Sequence, residues 1–296
     1  MDDAWWTGPL LAASAGTLPP GHFLFEPYFF DSIPFAQIDK HGATHDVPRQ
    51  NDFGSFSYFI YGIADGFSMG LIPRFGFEQI NGGKSSSDLE LGDWTLQGQV
   101  CLTDFHEDSW IPTISLNLAE TFPTGRFDQL DRASDGFGAG AYTSILSLYS
   151  QTYFWMPNGR LLRTRLNLSY ALSGRVPLQN MSVYGTENGF VGFADPGASA
   201  YGDLAFEYSI TRNWVAAMDF WFEQDNPTHV SGINAAGGTL APYSANSDTG
   251  RELYVAPALE YNVSAALGVI LGARIFAAGR NETAFVTPVI AINYVH

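Results

Sequence analysis

Polar and apolar residues alternate along twelve short segments of this chain, and the connections between the segments are alternately short and long. In the clearest segment, 163–172, Arg163 and Arg165 fall on one side, whereas Leu166 and Leu168 fall on the other. Because successive side chains of a β-strand point to opposite faces, this period of two predicts strands between two different environments. A polar interior inside an apolar exterior, as in a transmembrane barrel, produces this pattern.

The segments and their connections together predict the topology. We place strands at residues 22–31, 52–63, 67–79, 88–102, 110–121, 138–156, 161–173, 201–210, 214–224, 252–262, 266–279 and 283–295. The connections after even-numbered strands are tight, whereas most of the others are long, with the longest at 32–51, 122–137, 174–200 and 225–251. Short turns at the periplasmic rim and long loops at the outer rim are typical of outer-membrane barrels. We therefore predict an all-β fold, a transmembrane antiparallel up-and-down β-barrel of twelve strands at residues 22–296, with both termini periplasmic.

Composition excludes several other classes of protein. The 296 residues carry a formal net charge of −16, and the only lysines are Lys40 and Lys84, so nucleic acid is not an expected partner. Cys101 is the single cysteine, which rules out an intrachain disulfide and makes a zinc site improbable. No apolar run reaches the roughly 18 residues of a transmembrane helix. The first residues, MDDAWWTG, lack the basic start and apolar core of a signal peptide, so we interpret the chain as a mature exported one.

Alternation also assigns most strands an outward face. Outward residues on segment 52–63 are expected to be Phe56, Tyr58 and Ile60, with comparable apolar sets on the later strands. Aromatic residues at the strand ends near the short turns read as an inner girdle, because amphipathic rings favour the headgroup layer. This set comprises Tyr61, Phe67, Trp110, Trp155, Tyr208, Trp214, Tyr261 and Tyr294.

Three stretches resemble a known family. They are GHFLFEPYFF at 21–30, LELGDWTLQGQV at 89–100 and FPTGRFDQL at 122–130. In this order and spacing they resemble the outer-membrane channel family associated with meta-pathway phenol degradation, whose members are often called simply transporters. The resemblance spans nearly the whole chain, and it implies a twelve-stranded barrel and a part in the uptake of hydrophobic or aromatic compounds. The chain shows one departure: many outer-membrane barrels end in an aromatic residue, whereas this chain ends Tyr294-Val295-His296.

Charged residues on the inward face are the candidate functional residues. The acids are Glu26, Glu78, Asp93, Asp203, Glu207, Asp219, Glu223, Glu252 and Glu260, and the bases are Arg74, Arg163, Arg165 and Arg274. An excess of acids predicts a lumen that attracts cations, as carboxylate rings do in cation pores. Two interpretations of the acid–arginine pairs stay open: a transverse field across a channel constriction, or pairs that only satisfy one another in a packed interior.

The segment before the first strand, residues 1–21, has a separate character. Trp5, Trp6, Leu10 and Leu11 make it partly apolar, and its prolines prevent a regular strand. It is expected either to enter the lumen or to lie along the periplasmic rim.

The first outer loop contains His41 and His45 beside Asp39 and Asp46, and a solvated polar loop is favoured there over a metal site. No G-x-S-x-G, H-E-x-x-H or P-loop pattern occurs, so neither an enzyme nor a cofactor is expected.

The sequence therefore predicts a monomeric, passive channel in the outer membrane of a Gram-negative bacterium. Its lumen is expected to be acidic, polar, narrow and cation-preferring, and its surroundings are outer-membrane lipid and lipopolysaccharide. Ions or small molecules, including small aromatic or hydrophobic compounds by resemblance, are the expected permeants. The alternatives are an outer-membrane enzyme of phospholipase or protease type, and a closed structural or adhesion barrel.

Overall fold

Long antiparallel strands dominate the computed structural model, which describes residues 4–107, 109–235 and 240–296. The strands are β1 (Phe23–Ile38), β2 (Thr44–His45), β3 (Gln50–Ala64), β4 (Phe67–Ile72), β5 (Arg74–Ile80), β6 (Glu90–Leu91), β7 (Trp94–Thr103), β8 (Thr113–Phe122), β9 (Thr143–Trp155), β10 (Leu161–Ser173), β11 (Val176–Gln179), β12 (Phe190–Asp195), β13 (Ser199–Ser209), β14 (Trp214–Asp225), β15 (His229–Asn234), β16 (Ala241–Asn246), β17 (Gly250–Asn262), β18 (Leu267–Arg280) and β19 (Glu282–Val295). One short 3₁₀ turn, Ala133–Asp135, lies between β8 and β9. Within these residues, no helix is long and apolar enough to cross a membrane.

The main sheet closes on itself, because β1 pairs with β19 on one side and with β3 on the other. The barrel wall has twelve strands when β4 and β5, interrupted at Pro73, are counted as one strand and β6 and β7 as another. At the short-turn end, Phe23 and His296 exchange two backbone hydrogen bonds of 3.0 and 2.9 Å, so both ends of the barrel meet there. The predicted twelve-stranded antiparallel barrel is confirmed.

The alternation along β10 appears as two distinct faces of the wall. Leu166 and Leu168 are exposed on the outside, whereas Arg163, Arg165 and Asn167 are buried on the inside. Apolar residues of other strands are exposed in the same outward register, including Leu204, Phe220, Phe222, Leu259 and Leu271. The outer surface is therefore apolar over most of the wall, as lipid requires.

The predicted outward face of β3 is wrong. Phe56, Tyr58 and Ile60 point into the barrel and line its main cavity, whereas Phe53 and Phe59 are exposed outside. Both faces of β3 carry aromatic residues, so period two alone does not distinguish them. The register with β1 does, because it sets Tyr58 opposite Glu26, and directly opposed residues of an antiparallel pair share a face.

Two of the connections predicted as loops contain a second sheet. Strands β11, β12, β15 and β16 pair in that order, and the β12–β15 pairing joins segment 174–200 to segment 225–251. Val176, Leu178 and Phe190 are fully buried between them and form a small apolar core. The long-loop end of the barrel is thus a folded structure and not a set of separate loops.

The two faces of β10 generate a test of the barrel wall. Leu168→Arg should lower the stability of the barrel in lipid vesicles by about 2–4 kcal/mol, because it places a charge on the lipid face near mid-strand. Ser169→Arg, on the cavity side, should cost clearly less. Denaturant titrations of folding into vesicles measure both free energies, and equal losses would contradict the assignment of faces.

Candidate functional site

The segment before the barrel lies inside the lumen. Residues 4–21 run from the short turn at Arg212, where the backbone N–H of Trp5 donates to the Arg212 carbonyl at 2.9 Å, to the end of β3, where Gly21 N–H donates to the Gly62 carbonyl at 2.9 Å. Ala4, Leu10, Ala12 and Ala15 are almost completely buried. Residues 1–21 were predicted either to enter the lumen or to lie along the periplasmic rim. The described residues 4–21 contact the inner wall of the barrel.

Two carboxylates of the wall accept the backbone amides of this segment. Asp219, on β14, accepts the N–H groups of Leu10, Leu11 and Ala12 at 3.0, 3.3 and 3.1 Å. Glu260, on β17, accepts the N–H group of Thr7 at 2.9 Å and that of Gly8 at 3.1 Å. A carboxylate that accepts several amide donors is held by charge-assisted hydrogen bonds, which are roughly twice as strong as neutral ones. These acids therefore bind the segment.

Donor side chains of β10 and β7 bind the carbonyl groups of the segment. Arg165 Nη1 donates to the Ala12 carbonyl at 2.8 Å, and Asn167 Nδ2 donates to the Ala13 carbonyl at 3.2 Å. Gln99 Nε2 donates to the Ser14 carbonyl at 3.0 Å. Because the segment forms no regular structure, these side chains supply the partners that its backbone lacks.

Both tryptophans of the segment stack on arginines. The Arg163 guanidinium lies 4.6 Å from the centre of the Trp6 ring, and the Arg212 guanidinium lies 4.5 Å from that of Trp5. Contacts of this kind contribute about 0.5–2 kcal/mol each, depending on burial. They anchor the segment at its first described turn, close to the short-turn rim.

Glycine occupies two positions where the segment contacts the wall. Gly8 has φ +141°, a backbone conformation that other residues rarely adopt, and the site of its missing Cβ lies 3.5 Å from Arg165 Nη2. At Gly268, on β18, a Cβ would overlap Thr7 Oγ1. The segment and the wall are thus in direct contact at these two positions.

A buried ion triplet lies beside the segment. Arg163 binds the Glu207 carboxylate through two nitrogens, with Nε at 2.6 Å from Oε2, and Arg165 Nε lies 3.1 Å from the same oxygen. The side chains are 7, 5 and 0 % exposed for Arg163, Arg165 and Glu207. Charged side chains are buried to this extent only when they are paired with one another. The triplet is therefore closer to the interpretation in which the charges neutralise each other in a packed interior than to that of a transverse field across an open constriction.

A cavity of about 690 Å³ occupies the lumen between the segment and the wall. Its lining combines polar groups with aromatic rings. Tyr28 stacks on Phe56 with ring centres 4.6 Å apart, and the Tyr58 ring meets Phe56 edge-on at 5.6 Å. Across the cavity, Tyr201 stacks on Trp221 at 5.2 Å. The aromatic lining is the feature that sequence analysis missed, because it had placed Phe56 and Tyr58 outside.

The predicted site residues fall into separate groups. Those that line the main cavity are Glu26, Arg74, Arg163, Arg165 and Asp203. Those that contact the segment or the ion triplet are Glu207, Asp219 and Glu260. Nearer the long-loop end lie Glu78, Asp93, Glu223, Glu252 and Arg274. The structure thus brings only part of the predicted set to one cavity.

Asp93 has a role that spacing did not reveal. Its two oxygens accept the backbone N–H groups of Gly125 and Ala139 at 2.9 and 2.7 Å, which fixes both arms of the loop between β8 and β9. The ring of Phe137, from the same loop, packs on Gly76 of β5 inside the barrel. A second cavity of about 370 Å³ lies here, with Arg74 and Asp93 in its lining.

The histidines of the first outer loop take part in a turn. Asp39 accepts the N–H groups of His41 and Ala43, both at 2.8 Å, and its other oxygen lies 3.1 Å from His45 Nε2. Hydrogen bonding by His45, followed by that of the Ala43 amide, lowers the pKa of Asp39 to about 2. Across the described residues, no group of three or more His, Cys, Asp or Glu is placed to hold a metal ion.

Comparisons with known proteins support the fold. No protein-family model and no curated protein matches the sequence. Among solved structures, an outer membrane channel from Pseudomonas putida F1 matches with a TM-score of 0.74 and 12% identity, over 97% of this chain and 100% of that one. The chain folds as an outer-membrane β-barrel. This fold and its apolar exterior place the protein in the bacterial outer membrane.

More distant matches are the β-domain of the Bordetella autotransporter BrkA, with a TM-score of 0.49 and 9% identity over 93% of this chain and 100% of that one, and a mutant of the TodX monoaromatic hydrocarbon channel. The latter has a TM-score of 0.44 and 13% identity, over 94% of this chain and 91% of that one. These likenesses are too low to carry a functional argument. The link to phenol degradation stays a prediction from the resemblance.

The contacts of Asp219 generate a test of how the segment is held. Asp219→Asn should loosen the segment, because an NH₂ group that cannot accept replaces one of the two oxygens, and the oxygen that stays is uncharged. Residues 4–21 contain no lysine or arginine but include Trp5, Trp6 and Leu10, so chymotrypsin reports on their release where trypsin does not. The rate of cleavage within the segment, in detergent micelles, should rise at least several-fold.

Glu223→Gln is the matched control, because Glu223 lies on the same strand and accepts the Trp221 indole N–H at 3.1 Å rather than the segment. Its cleavage rate should equal that of the unaltered protein. An Asp219→Asn protein that is cleaved no faster than this control would show that the carboxylate does not hold the segment.

Proposed function

We propose that the protein is a passive outer-membrane channel with a narrow, polar lumen that prefers cations and admits small aromatic or hydrophobic molecules. The observation that carries this proposal is the cavity of about 690 Å³ enclosed by the barrel wall. Its volume falls within the roughly 300–1,000 Å³ of small-molecule sites. The segment 4–21 bounds the cavity toward the short-turn end, so permeation there depends on the gaps that the segment leaves or on its displacement.

The orientation of the channel follows the predicted pattern. In the proposal the short turns, the two barrel ends and the segment face the periplasm, and the sheet of β11, β12, β15 and β16 faces outside. The protein acts as a monomer surrounded by lipid and lipopolysaccharide.

Carboxylates near the long-loop end support the preference for cations. Glu223 and Glu252 are directly opposite each other on β14 and β17, and Asp225 and Glu282 lie near them at the strand ends. Arg274, on β18, is the basic residue that acts on Glu252. Its guanidinium lies 4.6 Å from the centre of the Tyr254 ring. A mouth with this excess of acids raises the local concentration of cations.

The lining of the cavity supports small aromatic permeants. Tyr28, Phe56 and Tyr58 on one side, with Tyr201 and Trp221 on the other, present ring faces and edges to the interior. Aromatic pairs gain about 0.5–1.5 kcal/mol beyond the burial of area. The resemblance to the phenol-degradation channel family, read from residues 21–30, 89–100 and 122–130, points to the same class of compound.

The bound segment generates a test of permeation. Deleting residues 5–18 should raise the single-channel conductance in planar bilayers several-fold, because it removes the backbone that crosses the lumen. The unaltered protein should show small conductance steps. The Asp219→Asn protein, with the full chain present, should show more frequent openings of the larger size.

The same recordings can also contradict the channel proposal. A deleted protein that folds, as judged by circular dichroism, and yet shows no conductance would overturn the channel proposal in favour of a closed structural barrel. Liposome swelling with phenol provides the second readout, since it follows uncharged permeants that carry no current.

The carboxylates near the long-loop end allow a test of ion selectivity. The reversal potential in a gradient of KCl should indicate a preference for potassium, and the double variant Glu223→Gln/Glu252→Gln should lose most of it. Asp65→Asn, in the exposed turn between β3 and β4, removes one carboxylate at the other end of the barrel and should lose little, whereas Glu223→Gln alone should already lose a measurable part. A preference for chloride in the unaltered protein would contradict the proposed role of the acids.

A further inference from the structure

Asp203 is buried in the cavity wall without a partner. It lies on β13, lines the cavity, and is 1 % exposed. Within the described part of the chain, it is the one carboxylate of which both oxygens are buried and neither receives a hydrogen bond. A buried carboxylate in this condition is strongly unfavourable unless something pairs with it. Among the described residues, no group donates a hydrogen bond to it.

Asn167 presents a second acceptor beside it. The register of β10 and β13 sets Asn167 directly opposite Asp203. Its Nδ2 donates to the Ala13 carbonyl, which leaves Oδ1 buried without a donor. Three oxygens, two from Asp203 and one from Asn167, are therefore buried at adjacent positions of the cavity lining and lack donors. Such a set is complementary to a group with several N–H donors.

The neighbouring charges are already engaged. Arg165 is the base that acts on Asp203, but its guanidinium binds Glu207 and the Ala12 carbonyl. Asp219 is the nearby acid, and the amides of the segment occupy its two oxygens. Among the described residues, Asp203 forms no ion pair within 4 Å. Among the described carboxylates with both oxygens buried, the complete lack of hydrogen-bond donors is thus specific to Asp203.

Aromatic rings adjoin these oxygens. Trp221 is directly opposite Asp203 on β14, and its ring stacks on that of Tyr201 with an interplanar angle of 19°. Tyr149, opposite Asn167 on β9, lines the same cavity. The faces of aromatic rings attract cations and also pack against apolar groups. A carboxylate bordered by such rings recognises an organic cation better than a hydrated inorganic one.

We propose that Asp203, Asn167, Tyr201 and Trp221 form a binding site for small organic ammonium ions. The ammonium group donates to Asp203 and to Asn167 Oδ1, and the organic part packs against Tyr201 and Trp221. This inference deepens the proposed function, on which it rests for the route of entry, because it assigns a substrate class to the same lumen. Primary amines that carry an aromatic ring fit both halves of the site.

Binding, measured apart from permeation, tests this site. The probe is 2-phenylethylammonium chloride, titrated by isothermal calorimetry into the purified full chain in detergent micelles, with empty micelles as the blank. The neutral analogue 2-phenylethanol and the anion phenylacetate should bind at least 10-fold more weakly, as expected for the loss of a charge-assisted hydrogen bond. Equal affinity for the ammonium ion and the alcohol would overturn the proposal.

Two variants locate the site. Asp203→Asn, which keeps the shape of the side chain, should weaken the ammonium probe by roughly 10–100-fold and leave 2-phenylethanol nearly unchanged. Asp65→Asn should change neither. Trp221→Leu should weaken both probes, because it removes packing that they share. An Asp203→Asn protein that retains full affinity for the ammonium ion would place any binding elsewhere and overturn the proposal.

Inorganic competitors decide between an organic and a simple cation site. Ammonium chloride, at the concentration that half-saturates the protein with the organic probe, should not displace it. Displacement at that concentration would show that the rings contribute nothing, which overturns the assignment to organic ions. If the unaltered protein binds the probe but shows neither conductance nor liposome swelling, the channel function is refuted and the binding site is retained.

Discussion

A backbone N–H or C=O group in lipid has no water to bind, and this requirement shapes the whole molecule. The wall meets it by closing the sheet through β1, which pairs with both β19 and β3. The same requirement applies to residues 4–21 in the lumen, where no neighbouring strand is available. Asp219, Glu260 and Arg165 supply their partners there. The polar character of the inner wall follows, in part, from the need to bind an irregular stretch of backbone.

The positions of the strands were readable from the sequence because two signals coincide. Period-two alternation marks each strand, and the alternating lengths of the connections number them. Neither signal reports which strands pair outside the barrel. Strands β12 and β15 belong to different connections and are short, so only the folded chain shows that they form one sheet. The face of β3 was misread for a different reason: its two faces carry similar aromatic residues, and the deciding fact is the register with β1.

The sequence predicted which faces of the strands carry the charged residues, but not what those residues contact. Alternation placed the charged residues inward, yet it could not tell a carboxylate that binds backbone, such as Asp219, from one without a partner, such as Asp203. The two differ only in what lies opposite them in space. The same holds for Asp93, whose partners come from a loop more than 30 residues further along the chain. Alternation predicts an acidic lumen, whereas the folded contacts show which acids have hydrogen-bond partners within the protein.

The path of residues 4–21 through the lumen also ties distant parts of the chain together. Their hydrogen bonds to the wall join residues from 41 positions apart, between Gly21 and Gly62, to 255 positions apart, between Thr7 and Asn262. Each of these contacts closes a long loop, which costs conformational entropy. Asp219 on β14 and Glu260 on β17 lie on adjacent strands only once β14 and β17 have paired. The hydrogen bonds that hold residues 4–21 in the lumen therefore depend on a wall whose strands are already in place.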